Sequence, residues 1–229
     1  GYQVIAAMQL ALACVFLLTL RLWRSEVAQP PRAQADAAHA TGRRSVPAWA
    51  AWLAPALYLL YATVEIGTGL WTASILVNGR GLDASTAGLW VSCFFGAIMG
   101  GRFAIGLVSA RLGNRRLVRL GLLTAMAGAL LFALPGMPLG LMLGGLVLLG
   151  LGCAPIYPSL MHETTRRFDA ATARVVVGRQ VAFASAGGAL GPACLGLLGA
   201  QVGLGAIMPA VLGALVLLLV LSVRLDSVT

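Results

Sequence analysis

Residues Trp49–Val77 decide the fold, and their sequence is WAAWLAPALYLLYATVEIGTGLWTASILV. The stretch is apolar and long enough to cross a bilayer as a helix, yet a carboxylate, Glu65, stands near its centre. A charge at that depth costs on the order of 3 kcal/mol on insertion scales, so it persists only where it faces the protein interior or a watery cavity. We therefore expect Glu65 to lie on an ion or substrate path.

One face of this predicted helix holds the polar side chains around Glu65. They recur at intervals of three and four residues, as positions on one helix face do: Tyr58, Tyr61, Glu65, Thr68 and Thr72. The two tyrosines either line a substrate cavity or pack between helices, and Thr68 belongs to the same candidate site. Glu65 binds and releases a proton, hydrogen-bonds a polar solute, or only hydrogen-bonds a neighbouring helix.

Composition places the whole chain in a membrane. The 229 residues are 59% hydrophobic and 10% charged, with a mean hydropathy of +0.91. The net charge of +9 comes from arginine alone, and the arginines cluster in short connections between apolar runs, which is a topology signal and not a nucleic-acid surface. The sequence shows no metal-ligand spacing, phosphate-binding loop or nucleophile–base pair, so we expect no metal, no cofactor and no enzymatic activity.

The apolar runs predict seven transmembrane helices in three regions. Residues 1–23 form one helix, residues 24–48 a linker with Pro30-Pro31 and scattered polar residues, and residues 49–229 six closely connected helices. Within the third region we expect a span from Leu139 to Met161 and then a longer polar segment from His162 to Arg179.

The distribution of arginines predicts the orientation. Those that fall on one side of the seven spans are Arg21, Arg24, Arg32, Arg43, Arg44, Arg111, Arg115, Arg116, Arg119, Arg166, Arg167, Arg174, Arg179 and Arg224. Only Arg80 falls on the other side. By the positive-inside rule the arginine-rich side is cytoplasmic, which puts Gly1 outside and Thr229 inside a multi-pass protein of the cytoplasmic (inner) membrane.

A loop motif carries a family resemblance. The segment Gly106–Arg116 is GLVSARLGNRR, and its motif positions are Gly106, Arg111, Gly113, Arg115 and Arg116. It resembles the short cytoplasmic loop between the second and third helices of each half of major facilitator superfamily transporters. A tight glycine turn there holds cations near a helix C-terminus, where the helix dipole favours them. Ala110 departs from the signature, because the family has an acidic residue at that place.

Other segments resemble the branch of that superfamily containing fucose permease and related sugar permeases. They are Glu65–Gly67 with Trp71, Ala87–Trp90 with Phe95-Gly96, Gly101-Arg102, Gly152–Pro158 and Gln180–Gly188. The resemblance implies an all-α integral membrane protein with one helix of a missing first half, residues 1–23, and the C-terminal six-helix bundle, residues 49–229. It also implies a secondary active transporter, a permease or symporter that moves a sugar or another small polar solute by alternating access. Coupling of this transport to protons is one option that the resemblance implies. The implied partners are the solute, the lipid bilayer and the first half, with no nucleic acid.

Three more residues are candidates for the transport path. Pro155 and Pro158 predict a kinked or broken helix, and Tyr157 between them is a candidate for the cavity. Gln180 begins a predicted span and either contacts the solute or caps the helix. Arg102 lies about two turns before the cytoplasmic end of its span, where it either snorkels to the interface or pairs across helices to close a gate.

Two further patterns concern packing and the helix ends. Pairs of glycines spaced four residues apart predict close contacts between helices: Gly96 and Gly100, Gly140 and Gly144, Gly187 and Gly191. His162 and Glu163 end a predicted helix, and we expect them at the membrane interface.

Two alternatives to a two-half transporter stay open. Seven spans with the N-terminus outside also fit a seven-helix receptor, although the lack of lysine excludes a retinal Schiff base. A natural half-size transporter that forms a dimer is the other alternative.

Overall fold

The computed structural model describes the backbone of residues 2–23 and 46–229, with side chains except at residues 2–5, 20–23 and 108–111. The chain divides into two units, residues 1–43 and residues 44–229. In the first unit, α1 (Tyr2–Trp23) coincides with the predicted first helix. The predicted linker, residues 24–48, lies outside the described residues apart from its last three.

The second unit is built from helices alone in the part of the chain that the structure describes. Their bounds are α2 (Ala50–Arg80), α3 (Ala84–Leu112), α4 (Asn114–Ala133), α5 (Leu139–Cys153), α6 (Ile156–Arg167), α7 (Ala170–Val202), a 3-10 turn (Leu204–Ala206) and α8 (Ile207–Val228). With α5 and α6 counted as one broken span, six helices of this unit are long and apolar enough to cross a membrane. The predicted all-α membrane fold is confirmed.

Glycine conformations and a capping side chain explain where α2 ends, where α3 begins and where α3 is separated from α4. Gly81 has a φ of 68° and closes α2 with a left-handed C-terminal turn. Asp83 then starts α3, because its Oδ1 accepts hydrogen bonds from the Thr86 amide and the Ser85 hydroxyl. These hydrogen bonds hold the pKa of Asp83 below its ordinary value. Gly113, with a φ of 74°, is the single residue between α3 and α4, so the predicted glycine turn is present.

The polar segment predicted from His162 to Arg179 is helical for most of its length, and this corrects the predicted span bounds. α6 continues to Arg167 and α7 begins at Ala170. Asp169 caps α7, since its Oδ1 accepts from the amides of Ala171 and Thr172, and these bonds lower its pKa. Hydropathy places a boundary where the arginines begin, although the backbone hydrogen bonds continue through them.

Glycines hold two pairs of helices in close contact. A Cβ on Gly128 would meet the backbone of Gly145 and Leu149, which fixes the α4–α5 contact. Between α2 and α7, a Cβ on Gly187 would meet the Leu59 backbone, and one on Gly191 would meet Thr63. The predicted contact of that last glycine pair is therefore confirmed.

The other two predicted glycine pairs are wrong for the described unit. Nothing lies within 4 Å of a Cβ built on Gly96, Gly100, Gly140 or Gly144. Spacing of four puts such glycines on one helix face, but it does not say whether that face meets a neighbour. In α3, 17% of the most apolar stretch is buried, against 61% for the span Leu139–Arg167, so α3 has a largely uncovered face.

Candidate functional site

An ion pair joins α2 and α3 in the apolar part of the unit. Arg102 Nη2 donates to Glu65 Oε1 at 3.3 Å, and this is the single contact between the two side chains. The Glu65 side chain is 18% exposed and that of Arg102 46%. Of the two expectations for Arg102, pairing across helices is the one that the structure contains. One long contact leaves both groups able to take another partner.

The two tyrosines on the Glu65 face hold the break between α5 and α6. Both are buried, and their hydroxyls donate to backbone carbonyls, Tyr58 to Tyr157 O and Tyr61 to Cys153 O, each at 3.1 Å. Pro155, between the two helices, has no amide hydrogen, so the hydrogen bonds of α5 cannot continue through this point. The Tyr157 ring packs edge-on against Tyr58, with 4.8 Å between centroids. Of the two alternatives for the tyrosines, packing between helices describes this arrangement.

Tyr61 also links the helix break to the ion pair. Its hydroxyl interacts electrostatically with the Glu65 carboxylate and with the Arg102 guanidinium. One hydroxyl group thus contacts both the ion pair and the Cys153 carbonyl, where α5 ends.

Two further predicted site residues are buried with an unsatisfied oxygen. Thr68 is fully buried, and its hydroxyl has no hydrogen-bond partner among the described residues. Gln180 donates from Nε2 to Thr164 Oγ1 at 2.7 Å, while its Oε1 has no partner in the described part of the chain. The expectation that Gln180 begins a helix is wrong, because α7 starts ten residues earlier, at Ala170.

A second set of charges, which we call the ionic cluster, ties α4, α6 and α8 together. It consists of Arg115, Arg119, Glu163, Arg167 and Asp226. Arg115 Nε lies 3.0 Å from Glu163 Oε2, and Arg119 Nη2 lies 2.9 Å from Asp226 Oδ2. Arg167 contacts both carboxylates, and the side chains of Glu163, Arg167 and Asp226 are 5%, 4% and 9% exposed. The charges of this network pair with one another, although Arg167 Nε has no hydrogen-bond partner among the described residues.

The loop motif contributes to this cluster in part. Arg115 joins it from the first turn of α4, whereas Gly106 and Arg116 line surface cavities. The backbone of Arg111 lies in the last turns of α3, and its side chain is outside the described part of the structure. The predicted basic loop is thus reduced to Gly113, and its arginines belong to helices.

Glu163 and Asp226 are the residues that sequence reasoning missed. Glu163 is buried, where Arg115 of α4 and Arg167 of its own helix contact it. It does not end a helix as expected, because α6 continues to Arg167. Its place at the membrane interface stays a prediction. The sequence did hold one signal. Ala110 leaves the motif without its acid, so its arginines need carboxylates from elsewhere, and few acidic residues are available in the chain.

A cavity of about 490 Å³ opens between the end of α3, the start of α4 and α6. Its polar lining residues are Arg102, Asn114, Ser159, His162, Thr165 and Arg166. No carboxylate is among the residues that line it. It therefore runs from the Arg102 side of the ion pair to the ends of three helices, and we call it the arginine cavity. In the described part of the chain no three His, Cys, Asp or Glu side chains come together as a metal site.

Comparisons with known proteins identify the family of this chain and structures with a similar fold. Residues 53–228 match the family model of the Major Facilitator Superfamily. Two solved structures of a mutant of peptide transporter POT, one in complex with alafosfalin and one with sulfate, are similar to this chain with TM-scores of 0.68 and 0.67 and 19% identity. The likeness covers 78% and 76% of this chain but 38% and 37% of those structures, and at this identity it shows the fold. Among curated proteins none matches. The family model covers most of the chain, and the chain therefore belongs to the Major Facilitator Superfamily.

Proposed function

We propose that this chain is part of a secondary active transporter that moves a small polar solute by alternating access, with Glu65 and Arg102 as its coupling site. The observation that carries the proposal is the single 3.3 Å contact between these two charges, deep in the apolar part of two helices. An intramembrane ion pair of this kind marks an ion or substrate path more often than a structural need.

The coupling follows from charge balance. While Glu65 is ionised it neutralises Arg102, and the pair is closed. A proton on the Glu65 carboxylate removes that attraction and leaves Arg102 with a free positive charge in a medium of low polarity. A solute group that accepts hydrogen bonds then satisfies Arg102, so proton and solute bind together and a symport results. The Tyr61 hydroxyl transmits the change to the broken span.

The missing half of the carrier is part of the proposal. We take α1 as the last helix of a first half, residues 24–48 as the linker, and residues 49–229 as the second half. The uncovered glycine face of α3 at Gly96 and Gly100 supports this, because small residues let another helix approach closely in a bilayer. The chain spans 38% of the length of a POT structure, which also supports a missing half. A half-size dimer is the alternative, and the intact mass of the native protein distinguishes them.

The solute class and the orientation are also proposed. The arginine-rich helix ends support a cytoplasmic location for the ionic cluster in the inner membrane. The resemblance to sugar permeases favours a sugar or related metabolite, whereas the POT structures belong to a peptide transporter. Since the latter likeness concerns the fold, both classes belong in the test.

The test uses the full-length protein in proteoliposomes loaded with a pH-sensitive dye under an imposed proton gradient. We expect one of fucose, glucose or dialanine to accumulate and to move protons with it. Glu65→Gln abolishes gradient-driven accumulation, because the carboxamide takes no proton. Asp83→Asn is the matched control, since it removes a carboxylate outside the spans and asparagine still caps α3. Full accumulation by Glu65→Gln would overturn the proposed coupling site.

A further inference from the structure

We propose that the arginine cavity is a binding site for a small anion that carries a phosphate group. This inference concerns binding alone and stands without the transport activity proposed above. It rests on three features of the cavity: its charge, the donors that it leaves available, and its size.

The charge of the cavity has one sign. Arg102 enters from α3 and Arg166 from α6, with His162 one turn before Arg166. No acidic residue lines the cavity among the described residues. Guanidinium groups present planar forks of N–H donors that match phosphate oxygens, so two of them from different helices in one cavity favour an anion there.

The two nearby carboxylates do not neutralise these arginines fully. Glu65 takes one nitrogen of Arg102. Glu163 lies 3.7 Å from Arg166 Nη1 but is engaged by Arg115 at 3.0 Å and by Asn114. The Arg166 side chain is 73% exposed, so most of its donors remain available to a ligand.

The start of α4 adds backbone N–H donors, which also favour an anion. Gly113 and Asn114 line the cavity, and no side chain caps the first turn of the helix. The amides of a first turn and the helix dipole both favour negative charge. The buried Ser159 supplies a hydroxyl group from α6, whereas the Thr165 hydroxyl already donates to His162 O. At about 490 Å³ the cavity has the size of a small-molecule site.

The test measures phosphate binding by titration calorimetry, with the full-length protein in nanodiscs of phosphatidylcholine. We expect saturable binding of inorganic phosphate that Arg166→Gln weakens about tenfold, the effect of losing one charged hydrogen-bond donor. Arg174→Gln is the matched control, because Arg174 is an exposed arginine of α7 whose Nε donates to its own helix at Ala170 O, outside the cavity. His162→Gln provides a second variant of the lining.

A second arm identifies the source of the phosphate group. If inorganic phosphate does not bind, native mass spectrometry after extraction from phosphatidylglycerol membranes asks whether a lipid is retained. A retained lipid that Arg166→Gln loses and Arg174→Gln keeps supports the site with a headgroup as its ligand. Neither phosphate binding nor lipid retention, or an equal loss in both arginine variants, overturns the proposal. Because no uptake is measured, its failure is distinct from failure of the proposed transport.

Discussion

The six-helix unit contains two sets of charges that are built differently. The Glu65–Arg102 pair has one contact of 3.3 Å between two partly exposed groups. The ionic cluster has five side chains joined by several contacts, Arg115–Glu163 at 3.0 Å and Arg119–Asp226 at 2.9 Å among them, with both carboxylates nearly buried. A single long contact is exchanged at little cost, whereas a buried network resists the loss of any member. The difference indicates that the pair is suited to change partners and the cluster to hold helices together.

The largest expected effect tests the holding role of the cluster. Asp226→Asn leaves Arg167 and Arg119 without their strongest partner, and breaking a buried pair on one side costs roughly 3–5 kcal/mol. We expect the free energy of unfolding in detergent to fall by that amount. An equilibrium unfolding titration followed by far-ultraviolet circular dichroism measures it.

Arg224→Gln is the control for this variant, since it removes a charge from α8 outside the cluster. If Asp226→Asn lowered the free energy of unfolding by less than about 1 kcal/mol, it would behave as an exposed ion pair does. The contrast between the ionic cluster and the Glu65–Arg102 pair would then be lost.

The next effect concerns the break that lies between the two sets of charges. Tyr61→Phe leaves the Cys153 carbonyl without its donor, and an unsatisfied buried acceptor costs about 1–3 kcal/mol. We expect the same unfolding titration to report this loss. Tyr157→Phe is the matched control, because its hydroxyl makes no hydrogen bond within the described residues and only its ring packs at the break. Equal losses in both variants would contradict the role given to the Tyr61 hydroxyl.

A smaller effect sharpens the description of the pair. Glu65→Gln lowers the free energy of unfolding by less than Asp226→Asn does, because it breaks one long contact to an arginine whose side chain is 46% exposed. The same variant abolishes proton coupling, so its stability and its transport separate. A loss as large as that of Asp226→Asn would show that Glu65 is structural and would contradict the coupling site.

The smallest effect concerns the pH dependence of stability that comes from helix caps outside the ion pair and the ionic cluster. Asp83 and Asp169 cap α3 and α7, and their hydrogen bonds lower the pKa of each. A lowered carboxyl pKa stabilises the folded state above the unfolded value of about 3.9, and this contribution is lost as the pH falls through the folded pKa. Asp169→Asn still caps its helix but does not titrate, so we expect a slightly smaller drop in the unfolding midpoint between pH 5 and pH 3. An unchanged drop would assign that pH dependence to other carboxylates.

The sequence predicted local features of the fold well. Apolar length gave the six spans of the second unit, and Pro155 and Pro158 gave the broken helix. Glu65 stands out because a carboxylate is costly in an apolar span, and that argument needs no knowledge of its neighbours.

Contacts between helices were not predictable, because they depend on how the helices are rotated and aligned. Glu65 and Arg102 are 37 positions apart, and nothing in either helix says that they meet. The burial of Glu163 was not predictable for the same reason, since the arginine that pairs with it comes from α4. Of three glycine pairs with one spacing, a single pair packs closely.

The connection between α3 and α4 has a mechanical consequence. Gly113 alone joins two helices, and two successive Cα–Cα links of 3.8 Å leave no slack between Leu112 and Asn114. A shift of α3 along its axis therefore also moves the start of α4. Arg102 is in the helix before this joint and Arg115 is in the helix after it, so a displacement of α3 at the ion pair also displaces the helix that enters the ionic cluster.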